Sequence, residues 1–264
     1  MRALMLRALA IAIGLSPCGA QPVTARELSI VAPRLPPAID LNGQGHDASI
    51  IRESLAACGH TVTFTVVPFF RHWLEYKTGA YDAVATIPQD MDLPGASSDT
   101  YIHYQNGVSV LRSSLLNIRS LEDLSGKRVI SFGGAKDILP GLRQAVGSMA
   151  SYDENTDQMI HANQLFSHHV DAVISDGLIF AEYQHQLRQQ QSDGAKLSFN
   201  PNQDIVFSAI FKPTPYKMVF KDSGLRDDFN RCLKKIQQSG RVDTLFRAAV
   251  APYRDIVGNQ YLGY

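Results

Sequence analysis

The 264-residue chain is poor in cysteine, tryptophan and charge. It has three cysteines and one tryptophan, only 19% of its residues are charged, and 25 basic side chains balance 25 acidic ones. A balanced charge offers no basic surface for nucleic acid or for an anionic membrane, so neither is expected as a partner. Hydrophobic residues make up 45%, which is enough to bury a core and excludes an intrinsically disordered chain.

Catalytic and metal-binding signatures are also missing. The sequence has no Gly-x-Ser-x-Gly elbow, no Walker loop and no His-Glu-x-x-His motif. The densest group of metal-ligating residue types is His161, His168, His169 and Asp171. Within a helix, His161 and His168 would stand about 10 Å apart along the axis, too far to share one ion. We therefore expect no catalytic residue, no cofactor and no metal.

Residues 1–25 have the pattern of an export signal. Two arginines precede a short apolar run at 8–15, and the small residues 23–25 suit a signal peptidase. The alternative is an ordinary buried N-terminal helix. The run is too short to span a bilayer, and no later segment is suited to do so. We expect cleavage near Ala25 and a soluble mature chain in the periplasm, with 23 basic and 25 acidic side chains and no membrane insertion.

Two cysteines remain after such a cleavage, because Cys18 would leave with the signal. Cys58 and Cys232 could pair in an oxidising compartment, or they could be two free buried thiols. Sequence spacing does not show whether their Cα atoms come close enough, so both alternatives stay open.

Two similar segments stand 89 positions apart, Asp-Ala-Val-Ala-Thr at 82–86 and Asp-Ala-Val-Ile-Ser-Asp at 171–176. Each follows a helix-like stretch and a polar break, and each has the pattern of a short apolar strand. Such a pair suggests two similar α/β lobes. A site between the lobes would lie at the carboxyl ends of their strands, where Thr86 and Asp176 occur.

The order of elements supports an α/β fold. A strand at 27–32, a helix that Asp47 is expected to cap, a strand at 61–67 and a helix begun by Pro68 precede the first of these segments. This β-α-β-α-β order implies a parallel sheet with right-handed crossovers. Further strands are expected at 107–111, 129–132 and 205–211, and further helices at 156–167, 225–236 and 242–250.

Short phrases along the chain carry a family resemblance: 68–71 with Gly79 and Asp82, 120–129, 170–173, and 229–233 with Gly240. Their order resembles the family 3 extracellular solute-binding proteins of bacterial ABC transporters, the polar-amino-acid-binding type. The resemblance covers nearly all of the mature chain, although each phrase is short. It implies a two-lobed periplasmic binding protein type II fold, each lobe a mostly parallel sheet flanked by helices, with two crossover hinges. The first lobe would hold residues 26–110 and 209–264, and the second 111–208.

The resemblance also implies ligand contacts. Thr86 and Gln89 match polar ligand-contacting positions of the family, and Asp176 matches the acid that takes the ligand's ammonium group. Asp176 could instead cap the helix that follows it. The loop after Thr86, residues 88–94, lacks the arginine that clamps a ligand carboxylate in amino-acid binders and carries two acids, which argues against a simple α-amino acid.

Five further candidates flank the expected cleft. Gly134, Ala135 and Lys136 match a second-lobe loop at a helix start, whose N–H groups can hold an anion. The Lys136 side chain could meet a ligand anion or remain solvated. Phe70 could form a wall of the cleft or belong to the core. Arg71 could supply the missing anion clamp or tie the start of its helix to the inter-lobe region.

The function that the resemblance implies is capture of a small polar ligand for an ABC permease by a monomer that catalyses nothing. One alternative is a sensing or accessory binding protein of the same fold that is not coupled to transport. Another is an exported dehydratase-like enzyme, which would need an acid/base pair in the cleft. The sequence offers only Asp176 for such a pair, without an evident partner.

Overall fold

The computed structural model describes residues 25–263, and the expected export signal lies almost entirely outside them. The strands are β1 (Glu27–Arg34), β2 (Thr61–Pro68), β3 (Ala83–Pro88), β4 (Ala96–Ser97), β5 (Ile102–Tyr104), β6 (Asn106–Leu111), β7 (Arg128–Phe132), β8 (Ser151–Asn155), β9 (Ala172–Asp176), β10 (Ile205–Ser208) and β11 (Thr214–Phe220). The α-helices are α1 (His46–Ala56), α2 (Arg71–Lys77), α3 (Ala135–Ile138), α4 (Leu142–Ala145), α5 (Gln158–Phe166), α6 (Gly177–Ser192), α7 (Ser223–Gln238), α8 (Arg241–Val250) and α9 (Arg254–Val257). They form two α/β lobes, each built on one sheet.

The first lobe is built on a sheet of order β2-β1-β3-β11-β4, with β5 also paired to β11. Strand β1 runs parallel to β2 and β3, whereas β11 is antiparallel to β3, β4 and β5. All six residues of β3 are buried, as expected for a strand covered on both faces. Helix α1 packs against α7 and α8, and a disulfide between Cys58 and Cys232 joins the end of α1 to α7. Of the two alternatives for these cysteines, the structure has the bonded one.

The second lobe has sheet order β10-β6-β9-β7-β8. Strand β7 is parallel to β8 and β9, and β6 is antiparallel to β9 and β10, so this sheet is also mixed. All five residues of β9, the second of the two repeated segments, are buried. Helices α5 and α6 pack on β9, and Asp176 ends this strand at the edge that faces the other lobe.

The chain crosses between the lobes near residues 105 and 211. Strand β6 forms as expected, but it pairs with β9 and β10, so residues 106–110 lie in the second sheet and not in the first lobe. An apolar strand pattern fits either sheet, since its pairing partners are distant in sequence. Gln105 Nε2 donates to the Phe211 carbonyl at 2.7 Å, and Asn106 Nδ2 to Thr214 Oγ1 at 3.3 Å. These bonds hold the two crossings side by side.

The end of the chain packs on the second lobe. Residues 209–264 were expected in the first lobe, and β11, α7 and α8 do lie there. Helix α9, however, contacts α6 and β10. An apolar cluster joins the tail to the second lobe through Leu178, Ala181, Phe207, Val250, Tyr253, Val257 and Tyr261. The tail therefore spans both lobes on the side of the crossings.

Residues 25–263 show neither a membrane span nor a metal cluster. None of their helices combines the length and the apolar character needed to cross a bilayer. No group of three or more histidine, cysteine or acidic side chains converges among them. His161 is buried, and its Nε2 lies 3.1 Å from the Asn155 carbonyl, so this histidine serves the packing of α5.

Candidate ligand-binding site

A small cavity lies where the carboxyl ends of the two sheets face each other. Its volume is about 20 Å³, which is room for one water-sized group. The Phe69 ring of the first lobe meets the Phe132 ring of the second edge-on, with centroids 6.0 Å apart. The lobes are therefore closed on each other. The cavity is lined by Leu35, Phe69, Tyr104 and Tyr216 from the first lobe and by Asn106, Phe132, Gln158, Asp176 and Ile179 from the second.

Asp176 is a helix cap and a cavity wall at once. Its Oδ1 accepts from the backbone N–H groups of Leu178 at 2.9 Å and Ile179 at 3.0 Å, so it caps α6. Its Oδ2 accepts from the Tyr261 hydroxyl at 3.0 Å. Burial raises the pKa of this carboxyl to about 7, against the opposing effect of the hydrogen bonds. No basic side chain of the described residues lies within ion-pair distance of it.

Gln158 also lines the cavity and carries an acceptor without a partner. This first residue of α5 is 6% exposed, and its Oε1 has no hydrogen-bond partner. A buried oxygen without a donor costs about 1–3 kcal/mol, so a donor in the cavity would be favoured. Gln158 was not a candidate in the sequence, where it follows the capping Asp157 as an ordinary helix-start residue. Asp176 and Gln158 together suit a group that only donates, such as an ammonium.

A buried polar network supports the tyrosine wall of the cavity. Tyr104 and Tyr216 pack with ring centroids 4.9 Å apart, and the Tyr104 hydroxyl donates to Asp47 Oδ2 at 2.6 Å. Asp47 was expected to cap α1, but the N-cap is Gly45 and Asp47 lies buried in the first turn. Burial raises the pKa of Asp47 to about 7 and lowers that of His46 to about 4. His46 Nε2 lies 3.3 Å from Asp47 Oδ1 without hydrogen-bonding geometry, so this contact is not an ion pair near neutral pH.

The expected anion-binding loop already holds a carboxylate of the chain itself. The Gly134 N–H donates to Glu154 Oε2 at 2.8 Å, and the Lys136 N–H donates to Glu154 Oε1 at 3.0 Å. The Tyr152 hydroxyl also donates to Oε1, at 2.8 Å. Ala135 is buried, and Lys136 Nζ lies 5.4 Å from the centre of the Tyr152 ring. The Gly134 and Lys136 N–H groups therefore bind an acid of the chain itself, and the expected contact of this loop with a ligand stays a prediction.

Thr86 and Gln89 lie away from the deep cavity. Thr86 is fully buried with a φ of 60°, and its hydroxyl lies 2.9 Å from the Tyr101 hydroxyl. Gln89 faces a separate groove of about 230 Å³ between the lobes, which Asp137 lines from the second lobe. Its Oε1 accepts from the Thr100 hydroxyl at 3.1 Å. The structure therefore does not bring these two residues to Asp176.

Phe70 contacts the second lobe across the gap, and Arg71 lines the same opening, a wide groove that Thr156 borders from the second lobe. Phe70 is 38% exposed, has a φ of 77°, and packs edge-on against Trp73 at 4.5 Å. Its ring lies against Gly134 so closely that a Cβ there would be 2.6 Å from Phe70 Cε2. Arg71 points to solvent, and its Nε donates to Glu75 Oε1 at 2.9 Å.

A second basic candidate, Arg34, lies at the mouth of the cleft. It ends β1 and is half-buried, and no acid among the described residues lies within 4 Å of its guanidinium. It lines a groove of about 180 Å³ with Pro68, Phe69, Thr156, Asp157 and Tyr183. Arg34 was not predicted as a site residue because the prolines at 33, 36 and 37 made this stretch look like a loop in the sequence. Its position at the carboxyl end of a parallel strand was the available signal.

Comparisons with known proteins agree with this architecture. No profile of a known protein family matches the chain. A curated relative from Haemophilus influenzae, named "Probable amino-acid ABC transporter-binding protein", is 24% identical over 198 residues. That match covers 74% of this chain and 72% of the relative.

Solved structures share the fold at low sequence identity. An ancestral arginine-binding protein bound to arginine superimposes with a TM-score of 0.65 at 22% identity, covering 84% of this chain and 97% of that one. The ancestral amino acid-binding protein AncCDT-1, described as a precursor of cyclohexadienyl dehydratase, gives 0.65 at 18% identity, covering 84% and 94%. The expected two-lobed type II periplasmic binding protein fold is confirmed, as is the resemblance to the solute-binding proteins of ABC transporters.

Proposed function

We propose that this chain is a periplasmic solute-binding protein that captures a small ammonium-bearing molecule between its lobes and delivers it to an ABC permease. The observation that carries the proposal is the acceptor pair of Asp176 and Gln158, which lines an inter-lobe cavity that contains no basic side chain of the described residues. The name of the curated relative supports the link to a transporter. Cleavage near Ala25 and a monomeric state belong to the same proposal.

The mechanism is closure of the lobes about the ligand. Two chain crossings, tied by Gln105 and Asn106, can bend together as a hinge while each sheet stays rigid. An ammonium seated against Asp176 gives the closed form contacts that an open cleft cannot offer, because the first lobe supplies the opposite wall. The ligand thus selects the closed form, which is the form that the permease would recognise.

The site fits binding better than catalysis. Among the described residues, Asp176 is the one carboxylate that lines the deep cavity. The other nearby acid, Asp47, is screened from the cavity by Tyr104, to which it is hydrogen-bonded. An acid/base pair for a dehydration would need two groups within reach of the same substrate. The neighbour described as a dehydratase precursor makes turnover of candidate acids a useful control assay.

The experiment is calorimetric titration of the mature protein, stripped of bound solute, with amino acids and primary amines. Asp176→Asn keeps the Oδ1 that caps α6 but removes the charge, so the protein should fold and lose about 10- to 100-fold in affinity. Asp222→Asn is the matched control, because Asp222 caps α7 in the same way, through the Leu225 N–H, away from the cleft. Equal affinity of Asp176→Asn and wild type, or no binding at all, would contradict the proposal. No binding would favour an accessory protein with a protein partner.

A further inference from the structure

We propose that the groove at Arg34 is the anion subsite of the cleft, and that the preferred ligand is a zwitterion whose ammonium and carboxylate are separated by a carbon chain. The inference rests on the proposed function, since it takes the deep cavity as the ammonium subsite. It excludes α-amino acids as the best ligands, although the named relative and the solved neighbours are amino-acid binders.

The α-carboxylate of an amino acid whose ammonium lies at Asp176 would have no hydrogen-bond donor to bind. The backbone N–H groups of Gly134 and Lys136 are taken by Glu154, and the loop at 88–94 has no arginine. A carboxylate on the carbon that bears the ammonium would also lie beside the Asp176 carboxylate and the unpartnered Gln158 Oε1. Two like charges, or a charge against a bare acceptor, repel each other in a buried site.

A ligand carboxylate farther from the ammonium could bind at Arg34, which has a positive charge and hydrogen-bond donors. Arg34 is a half-buried residue that lines the groove, and its guanidinium has no ion pair with a described residue. A guanidinium can bind a carboxylate through two parallel hydrogen bonds. The hydroxyl-bearing side chains of Thr156 and Tyr183 line the same groove. Asp157 lines the groove too and caps α5 by accepting the Met159 N–H at its Oδ1. Its charge opposes that of Arg34 in the groove, and no ion pair joins the two side chains.

The two subsites adjoin. Phe69 lines both, Leu35 of the cavity follows Arg34 in the chain, and Ile179 of the cavity lies one turn of α6 before Tyr183 of the groove. Their common wall is apolar, which suits methylene groups. The volumes agree with this division. About 20 Å³ admits a head group the size of a water molecule, and about 180 Å³ leaves room for the other end of a ligand.

The test compares isomers. 5-Aminopentanoate and 2-aminopentanoate contain the same atoms, but only the first separates its charges. Calorimetric titration of the stripped mature protein should include 4-aminobutanoate and 6-aminohexanoate, so that chain length is covered, and pentylamine, which has no carboxylate. We expect the best ω-amino acid to bind at least about 10-fold more tightly than 2-aminopentanoate and pentylamine.

Variants at two arginines show which group makes the difference. Arg34→Gln should lower the affinity for the best ω-amino acid by about 10-fold or more and leave the affinity for pentylamine unchanged. Arg52→Gln is the matched control: Arg52 is also half-buried in the first lobe, but it stacks on Phe64 far from the cleft. It should leave both affinities within about 2-fold.

The outcomes separate this inference from the proposed function. If 2-aminopentanoate binds as tightly as every ω-amino acid, or if Arg34→Gln binds like wild type, the Arg34 subsite is wrong while the solute-binding function stands. If pentylamine alone binds, the ammonium subsite stands and the anion subsite does not. If none of these compounds and no α-amino acid binds, both proposals fail.

Discussion

The Tyr261 hydroxyl donates to Asp176 Oδ2 at 3.0 Å, so a residue two positions before the last described one is hydrogen-bonded to the acid of the cleft. Both side chains are buried. Asp176 thereby receives three hydrogen bonds and still lines the cavity. The tail of the chain is thus part of the support of the candidate binding site, which is one reason why it packs on the second lobe.

Tyr261→Phe should lower the free energy of unfolding by about 1–2 kcal/mol, because Asp176 Oδ2 would lose its donor while staying buried. Urea denaturation at pH 7 measures this. Tyr253→Phe is the control, since Tyr253 of the same tail donates to Glu182, whose carboxylate is only half-buried and lies outside the cavity. If Tyr261→Phe lowers the free energy of unfolding no more than Tyr253→Phe does, the hydrogen bond to Asp176 does not stabilise the protein more than an ordinary tyrosine bond.

Asp47→Asn should change how stability depends on pH. The pKa of Asp47 is raised to about 7 by burial, whereas an unfolded aspartate has a pKa near 3.8. The folded state therefore holds this proton more tightly, and its contribution to stability is present below about pH 4 and lost as the pH rises towards 7. The variant lacks this acid, so its free energy of unfolding should rise relative to that of wild type between pH 4 and 7, by up to about 1.4 kcal/mol per pH unit.

Stability must be compared between variant and wild type at each pH, because other titratable groups change the stability of both proteins with pH in the opposite direction. Burial lowers the pKa of His46 to about 4, of His72 to about 3 and of His161 to about 4, so their contributions grow as the pH rises from about 4 to 6.5. Asp176 and the hydroxyls of Tyr101 and Tyr104 also act on Asp47. Urea denaturation at pH 4, 5, 6 and 7 gives the difference between the two proteins. A difference that is flat with pH would contradict the raised pKa.

Gly134→Ala should oppose closure of the lobes. A Cβ at this position would lie 2.6 Å from Phe70 Cε2 across the cleft, and such overpacking costs about 1–3 kcal/mol. The φ of 80° at Gly134 adds strain that belongs to the backbone alone. A double-mutant cycle with Phe70→Ala separates the two effects, because only the clash disappears when the ring is removed. We expect a coupling of about 1 kcal/mol or more, and a more open form of the single variant in solution scattering. Additive effects would argue against the contact.

Replacing both Cys58 and Cys232 by alanine should lower the free energy of unfolding by about 2–4 kcal/mol, since the bond restricts an unfolded chain over a separation of 174 residues. Reduced wild-type protein should match the double variant. Retention of full stability by the double variant would show that contacts between α1 and α7 suffice without the bond.

Much of the fold follows from local patterns. The alternating or apolar runs that form β1, β2, β3, β7, β9 and β10 were predicted as strands, and the amphipathic segments that form α5, α7 and α8 were predicted as helices. The sheet that β6 joins was not predictable in the same way, because Val108 meets Ile174 and Ser208 only through pairing over long sequence distances. The packing of the tail on α6 is equally non-local.

The candidate site was predictable where strand ends defined it and not where side chains reach across the fold. Asp176 was placed by its strand, and the structure shows that it caps α6 and that it lines the cavity. Its expected contact with a ligand cation stays a prediction. Glu154 was missed because nothing near it in sequence indicates that its carboxylate takes the N–H groups of Gly134 and Lys136. Gln158 was missed because an unpartnered oxygen is a property of the packed interior alone.

Native mass spectrometry of the mature protein, purified without refolding, tests the central claim most directly. We expect a small non-covalent adduct on wild-type protein, lost on gentle activation. The adduct should be absent from Asp176→Asn and present on Asp222→Asn. The mass of the released compound would give the ligand class. Wild-type protein that is bare, and that stays bare after incubation with ω-amino acids, amines and α-amino acids, would contradict the claim that this cleft binds a small solute.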